Sequence, residues 1–146
     1  MTTGNMEPFH RPVLLVEDNP VDVDLTLRAF ARRKFTNPVH VARDGEEALA
    51  WIGRWEAGEP LPLVALLDLK LPRVHGLEVL SRWKESTVSR SVPVVVLTTS
   101  AEDSDIEAAY RLGANSYILK PVSFEKFLDV AEQIELYWCI TNRPPR

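Results

Sequence analysis

The chain has 146 residues, 45% hydrophobic and 26% charged, which suits one globular domain with a single core. A net charge of −4 gives no electrostatic reason for a nucleic-acid partner, and no apolar run approaches the roughly 20 residues of a membrane span. With Cys139 as the only cysteine, an intramolecular disulfide is excluded and the cytoplasm is the expected compartment.

Residues 1–11 read as a loose leader, without the basic start and apolar core of a secretory signal. Val13-Leu14-Leu15-Val16 is a short apolar run, hence a first buried strand, and it ends on Glu17-Asp18-Asn19-Pro20. Asn19 suits a helix N-cap and Pro20 a first helical residue, so a helix is expected from about Pro20 to Arg33. Pro38 to Ala42 make a weaker second strand. Asp44 caps a second helix, which carries Ala48, Leu49, Ile52 and Trp55 and stops near Gly58-Glu59-Pro60. Val64 to Leu67 are apolar without alternation, as in a strand buried on both faces, and Pro72 forces that strand to end soon after Asp68.

A third helix is expected over Gly76 to Glu85, with Leu77, Leu80 and Trp83 at helical spacing. The strongest strand signal runs from Val92 to Leu97 and ends on Thr98-Thr99-Ser100. Asp103-Ser104-Asp105 are expected to cap a fourth helix ending at Gly113, and Asn115 to Leu119 make a fifth strand stopped by Lys120-Pro121. Ser123 caps a last helix reaching about Thr141, and residues 142–146 form a short tail. The domain is thus expected over 12–141. Trp51, Trp55 and Trp83 read as packing residues, His75 as a solvated loop histidine, and His10, His40 and His75 lack metal-ligand spacing.

Five strands alternating with five helices imply an α/β doubly wound parallel sheet with helices on both faces. In such sheets ligands bind beyond the carboxyl ends of the strands, where strand order reverses. One common order, 2-1-3-4-5, sets strands one and three at that point. Glu17, Asp18 and Asp68 would then converge there, with Thr98 and Lys120 ending the strands beside them. Two unit charges about 4 Å apart repel by about 4 kcal/mol at an effective dielectric near 20, so the acids need a proton or a cation. Oxygen ligands at a half-open mouth suit Mg²⁺ or Mn²⁺. A carboxylate nucleophile, a divalent ion, a lysine and a hydroxyl together fit acceptance of a phosphoryl group.

Val16-Glu17-Asp18-Asn19-Pro20, Asp68-Leu69-Lys70-Leu71-Pro72 with Gly76, Leu97-Thr98, and Tyr117-Ile118-Leu119-Lys120-Pro121 resemble the CheY-like response-regulator receiver family. The resemblance implies a single-domain regulator of a two-component phosphorelay rather than an enzyme. It makes Asp68 the phosphoacceptor, with Glu17, Asp18, Asp68 and the backbone carbonyl of Lys70 around the metal. Lys120 would contact the phosphoryl group, and Thr98 and Tyr117 would form the coupled switch pair. Three positions depart from the commonest pattern: Thr99 after the switch threonine, Lys70 two residues after the acceptor, and Glu17 first in the acidic pair. The segment from Gly53 to Pro62 also looks long for the family. Together with Thr99-Ser100 and Tyr137-Trp138, the pattern is similar to small regulators that accompany bacterial phytochromes, which implies a phytochrome-type histidine kinase as donor.

Leu136 to Ile140 are apolar on every side of the last helix, more than one sheet face covers. A homodimer through the fourth helix, fifth strand and fifth helix is therefore expected, with Tyr137, Trp138 and Ile140 at its surface. With five residues after the last helix, the output is expected to be contact with another protein. Three rivals fit less well. An aspartyl phosphatase needs a second acid where Lys70 stands, a flavodoxin would have its phosphate repelled by Glu17 and Asp18, and a pseudo-receiver scaffold has no use for a complete site.

Overall fold

The computed structural model describes residues 11–136. Five strands, β1 (Val13–Val16), β2 (Val39–Ala42), β3 (Val64–Leu67), β4 (Val94–Thr98) and β5 (Ser116–Leu119), form one parallel sheet in the order 2-1-3-4-5. Between and after them run α1 (Pro20–Arg32), α2 (Gly45–Glu56), α3 (Gly76–Glu85), α4 (Asp103–Arg111) and α5 (Phe124–Ile134). The doubly wound fold expected from the strand and helix alternation is the one formed.

The strand period of two explains why the central strands are apolar throughout. Leu14, Val16, Ala65, Leu67, Val94 and Val96 face α2, α3 and α4, where they meet Ala48, Trp51, Trp55, Val79, Leu80, Trp83 and Ala109. Val13, Leu15, Val64, Leu66 and Val95 face α1 and α5, against Val23, Phe30, Phe127, Ala131 and Ile134. The three tryptophans among the described residues are core residues: Trp83 is completely buried, meets Trp55 edge-on at 5.8 Å, and its indole N–H donates to the Ala48 carbonyl at 3.1 Å. Fixing that N–H is what allows a tryptophan to sit fully inside.

Most ends fall where local chemistry puts them. Asn19 accepts from the amides of Val21 and Asp22, Asp44 from Glu47, and Ser123 from Lys126. The start of α4 differs from expectation. Glu102 is its N-cap without a side-chain cap bond, while Asp103 and Asp105 lie inside the first turn. Asp105 instead accepts from the Ser100 hydroxyl at 2.5 Å, so its carboxylate serves the preceding loop. β4 also begins two residues later than expected, because Val92 closes a turn onto Ser89 and gives its carbonyl to Lys84 Nζ at 2.7 Å. His75 is exposed but is also the N-cap of α3, its Nδ1 accepting from Leu77 at 3.1 Å.

The segment from Gly53 to Pro62 is the last turn of α2 and the connection toward β3, and it is pinned at both ends. Arg54 pairs with Glu59 at 2.8 Å while lying over the Trp51 ring, and Arg11 donates to the carbonyls of Leu61 and Pro62. Tyr137, Trp138, Cys139 and Ile140 lie outside the described residues, as do His10 and the tail.

Candidate functional site

The carboxyl ends of β1 and β3 meet at the switch point, because β1 has β2 on one side and β3 on the other. One further ladder bond on each side carries the chain past the strands: Glu17 N–H donates to the Ala42 carbonyl at 2.9 Å and Asp68 N–H to Val16 at 3.1 Å. Glu17 and Asp68 are thereby held one residue beyond the sheet. Their side chains are buried, whereas neighbouring Asp18 is exposed, and carboxylate oxygens of all three lie within 4.8 Å of one another.

Lys120, one residue past β5, is fixed in the same way by its N–H to the Thr98 carbonyl at 2.8 Å. Its ammonium reaches across the strand ends to Glu17 Oε1 at 2.7 Å, Asp22 Oδ2 at 2.9 Å and Asp68 Oδ2 at 3.0 Å. The Lys120 side chain is only 7% exposed, so these ion pairs act with little solvent screening. Burial pulls the ammonium down, but its bonds to Glu17, Asp22 and Asp68 outweigh that and hold it above the ordinary lysine range. Glu17 is pushed up to about 7, chiefly by burial and further by the charge on Asp68, with Lys120 acting against both.

Asp22 was not among the residues expected here. It stands in the first turn of α1, where an acid has an ordinary explanation in the helix dipole, and this masks its second role as a lysine partner.

The donor set suits a hard divalent cation. All three clustered groups are carboxylates, one is open to solvent, and a cation, the Lys120 ammonium, already bridges two of them. Lys70 enters through its N–H, which donates to Asp68 Oδ1 at 3.3 Å; its side chain is exposed.

Thr98 is completely buried at the end of β4, and its Oγ1 accepts from Ser100 N–H at 3.5 Å. Tyr117 is half-buried in the middle of β5, and its phenol donates to the Ser100 carbonyl at 2.8 Å. Burial raises that phenol above its ordinary value, a shift the Ser100 bond opposes. Thr98 and Tyr117 therefore meet through Ser100 rather than directly.

The chain matches the family model described as "response regulator receiver domain" over residues 13–132. It is 48% identical over 134 residues to a probable methanogenesis regulatory protein, FilR2, of Methanothrix harundinacea, a match covering 91% of this chain and 86% of that one. The phosphorylated cyanobacterial phytochrome response regulator RcpA superposes with a TM-score of 0.86 at 35% identity, covering 94% of this chain and 99% of the other. Response regulator Rcp1 of Synechocystis is 35% identical over 136 residues, covering 91% of this chain and 92% of its own, and its Mn²⁺-bound structure superposes with a TM-score of 0.83. On the fold, the acidic cluster and these matches, the chain belongs to the response regulator receiver domain family.

Proposed function

We propose that Asp68 accepts a phosphoryl group from the phosphohistidine of a sensor kinase and that Glu17, Asp18, Asp68 and the Lys70 carbonyl hold Mg²⁺ during the transfer. The observation that carries this reading is Asp68 itself: a buried carboxylate 3.0 Å from Lys120 Nζ, with its oxygens in the Glu17–Asp18 cluster. When bound, the divalent ion neutralises charge that develops on the phosphoryl oxygens. In the transfer, an Asp68 oxygen forms a bond to phosphorus as the phosphorus–nitrogen bond to imidazole breaks. The imidazole leaves with the electron pair and takes a proton from solvent. Lys120, already on Asp68, supplies a donor and a positive charge to the incoming group. Thr98 gives up Ser100 N–H to reach the phosphoryl oxygens, and Tyr117 reports that movement to α4. Hydrolysis returns the carboxylate and releases inorganic phosphate, which resets the domain.

The relative RcpA, phosphorylated and named for a phytochrome, and the Mn²⁺-bound relative Rcp1 support this assignment of acceptor, ion and donor. On this proposal the domain spans 12–141 and works in the cytoplasm beside a phytochrome-type histidine kinase. Among the described residues no helix is long and apolar enough to cross a membrane. The output is contact through α4, β5 and α5, in or next to which Tyr110, Leu119, Val122 and Leu136 are exposed. A homodimer over this face, extended by Tyr137, Trp138 and Ile140, is the form we expect in solution, and sedimentation at micromolar concentration checks it.

Intact mass after incubation with Mg²⁺ and acetyl phosphate tests the acceptor. A phosphoryl adduct is expected on wild type, and none on Asp68→Asn or on wild type treated first with EDTA. An adduct that persists on Asp68→Asn names a different nucleophile. Transfer from a panel of kinases that includes a phytochrome tests the donor.

A further inference from the structure

Lys120 has three ammonium hydrogens and three carboxylate partners, each from a different element: Glu17 after β1, Asp68 after β3, and Asp22 in α1. Two of these partners have a second allegiance. Glu17 and Asp68 share the metal cluster with Asp18, and Asp22 is outside it. A cation that draws on Glu17 and Asp68 competes with Lys120 for their oxygens. Asp22 is then the one partner of the three whose carboxylate stays committed to the lysine.

Asp22 is built to hold that place. Its N–H donates to Asn19 Oδ1 at 3.3 Å, its carbonyl accepts from Thr26 Oγ1 at 2.7 Å, and its side chain is partly sheltered at 23% exposure. The helix thus sets the carboxylate from its own capped first turn, whose cap residue Asn19 also gives its N–H to Glu17 Oε2 at 3.1 Å. A long lysine side chain without a fixed partner samples many rotamers, and a charged hydrogen bond from a rigid helix removes that freedom before the reaction begins.

We propose that Asp22 is a positioning residue of the phosphotransfer site: it aims the Lys120 ammonium at the Asp68 phosphoryl group while the cluster carboxylates are engaged with the cation. This rests on the reading of Asp68 as the acceptor. The contribution is through Lys120, which Asp22 pairs with from outside the Glu17–Asp18–Asp68 cluster.

The test uses the full chain and three variants, Asp22→Asn, Asp22→Ala and Asp22→Glu, each checked by thermal melting in EDTA to be fully folded at the assay temperature. Without Mg²⁺, the Lys120 ammonium is followed by nitrogen-detected NMR on labelled protein. Wild type should show hydrogens protected from exchange, and Asp22→Ala should lose that protection. Phosphorylation by acetyl phosphate at saturating Mg²⁺ should slow about tenfold in Asp22→Ala, less in Asp22→Asn, and recover in part in Asp22→Glu. In a Lys120→Ala background, Asp22→Ala should change the rate no further. Affinity for Mg²⁺, measured by calorimetry, should fall by clearly less than tenfold in Asp22→Asn, because Asp22 is no metal ligand and acts on the cation only through its charge and through Lys120. Rates equal to wild type in Asp22→Ala, additive losses in the double variant, or a tenfold fall in Mg²⁺ affinity would each overturn the proposal. If wild type takes no phosphoryl group, the acceptor reading fails separately, and the ammonium measurement still decides whether Asp22 holds Lys120.

Discussion

The phenol of Tyr117 donates to the carbonyl of Ser100 at 2.8 Å, tying the middle of β5 to the loop that enters α4. The same serine gives its N–H to Thr98 Oγ1 and its hydroxyl to Asp105 in the first turn of α4. The Thr98 hydroxyl, the Tyr117 ring and the first turn of α4 therefore share one residue. Under the proposed function, a movement of Thr98 toward a phosphoryl group would break its bond with Ser100 and be felt at both Tyr117 and α4. Such coupling needs two arrangements of the loop rather than a rigid wire.

Removing the phenol tests this connection. Tyr117→Phe keeps the ring among its core neighbours and loses one hydrogen bond, an expected cost of about 1 kcal/mol. Amide hydrogen exchange should rise across residues 100–106 and stay unchanged in α1 and α5, which pack on the opposite face of the sheet. A uniform rise, or none, would mean that Ser100 does not join the two.

Glu17 gives the apo protein a distinct pH dependence. Its acid form persists up to about pH 7 in the fold but only to about 4.5 in the unfolded chain. The native state thus binds the extra proton between those values, so the stabilisation is complete below pH 4.5 and is lost as pH rises through 7. The size is at most about 3 kcal/mol. In EDTA, urea denaturation of wild type relative to Glu17→Gln should show wild type losing ground from pH 5 to 7.5. Mg²⁺ affinity should run the other way and rise with pH, because the ligand set must be ionised. Parallel stability curves for the two proteins would remove Glu17 as the titrating group.

Much of the site was legible because strand ends, unlike helix faces, are announced by the sequence. An unbroken apolar run followed by an acid, a hydroxyl or a lysine places that group at the sheet's edge whatever the packing details. Glu17, Asp18, Asp68, Thr98 and Lys120 were all found that way. Asp22 was not, because an acid in a first helical turn is ordinary, and only the reach of Lys120 across three strand ends distinguishes it. The α4 terminus was misjudged for a related reason. Asp103 and Asp105 carry the right side chains for caps, but Ser100 competes for Asp105 across the loop, and that contact has no sequence period. His75 shows the reverse: a histidine that looked merely solvated turns out to cap α3.

Lys120→Met should reveal how much of the apo structure depends on one ammonium. The substitution leaves Glu17, Asp22 and Asp68 facing each other without their shared partner, at an expected cost of about 3 kcal/mol. Saturating Mg²⁺ should restore part of that loss, since a divalent ion can take over the neutralisation of Glu17 and Asp68. The rise in melting temperature on adding Mg²⁺ should accordingly be larger in Lys120→Met than in wild type. An equal or smaller rise would mean that the ammonium and the ion do not serve the same carboxylates.

Gly76 opens α3 against the backbone of Asp68 and Leu69, and no side chain fits there. A Cβ at this position would lie 2.3 Å from the Asp68 carbonyl oxygen and 2.5 Å from Leu69 Cα, both backbone atoms that cannot swing aside. The close approach is held by Gly76 N–H donating to the Leu69 carbonyl at 2.8 Å. Gly76→Ala must therefore push either α3 away from the sheet or Asp68 out of line with Lys120. Either route disturbs Leu69, Val79 and Leu80, all completely buried, so a loss of about 2 kcal/mol or more is expected by urea denaturation. Phosphorylation by acetyl phosphate should fall by more than stability alone explains, measured at a temperature where the variant is fully folded. Gly53→Ala is the control, because a Cβ there meets nothing within 4 Å and the helix gains a better former. Wild-type phosphorylation in a folded Gly76→Ala would show that the acceptor tolerates displacement, and the tight seat beneath Asp68 would then serve packing alone.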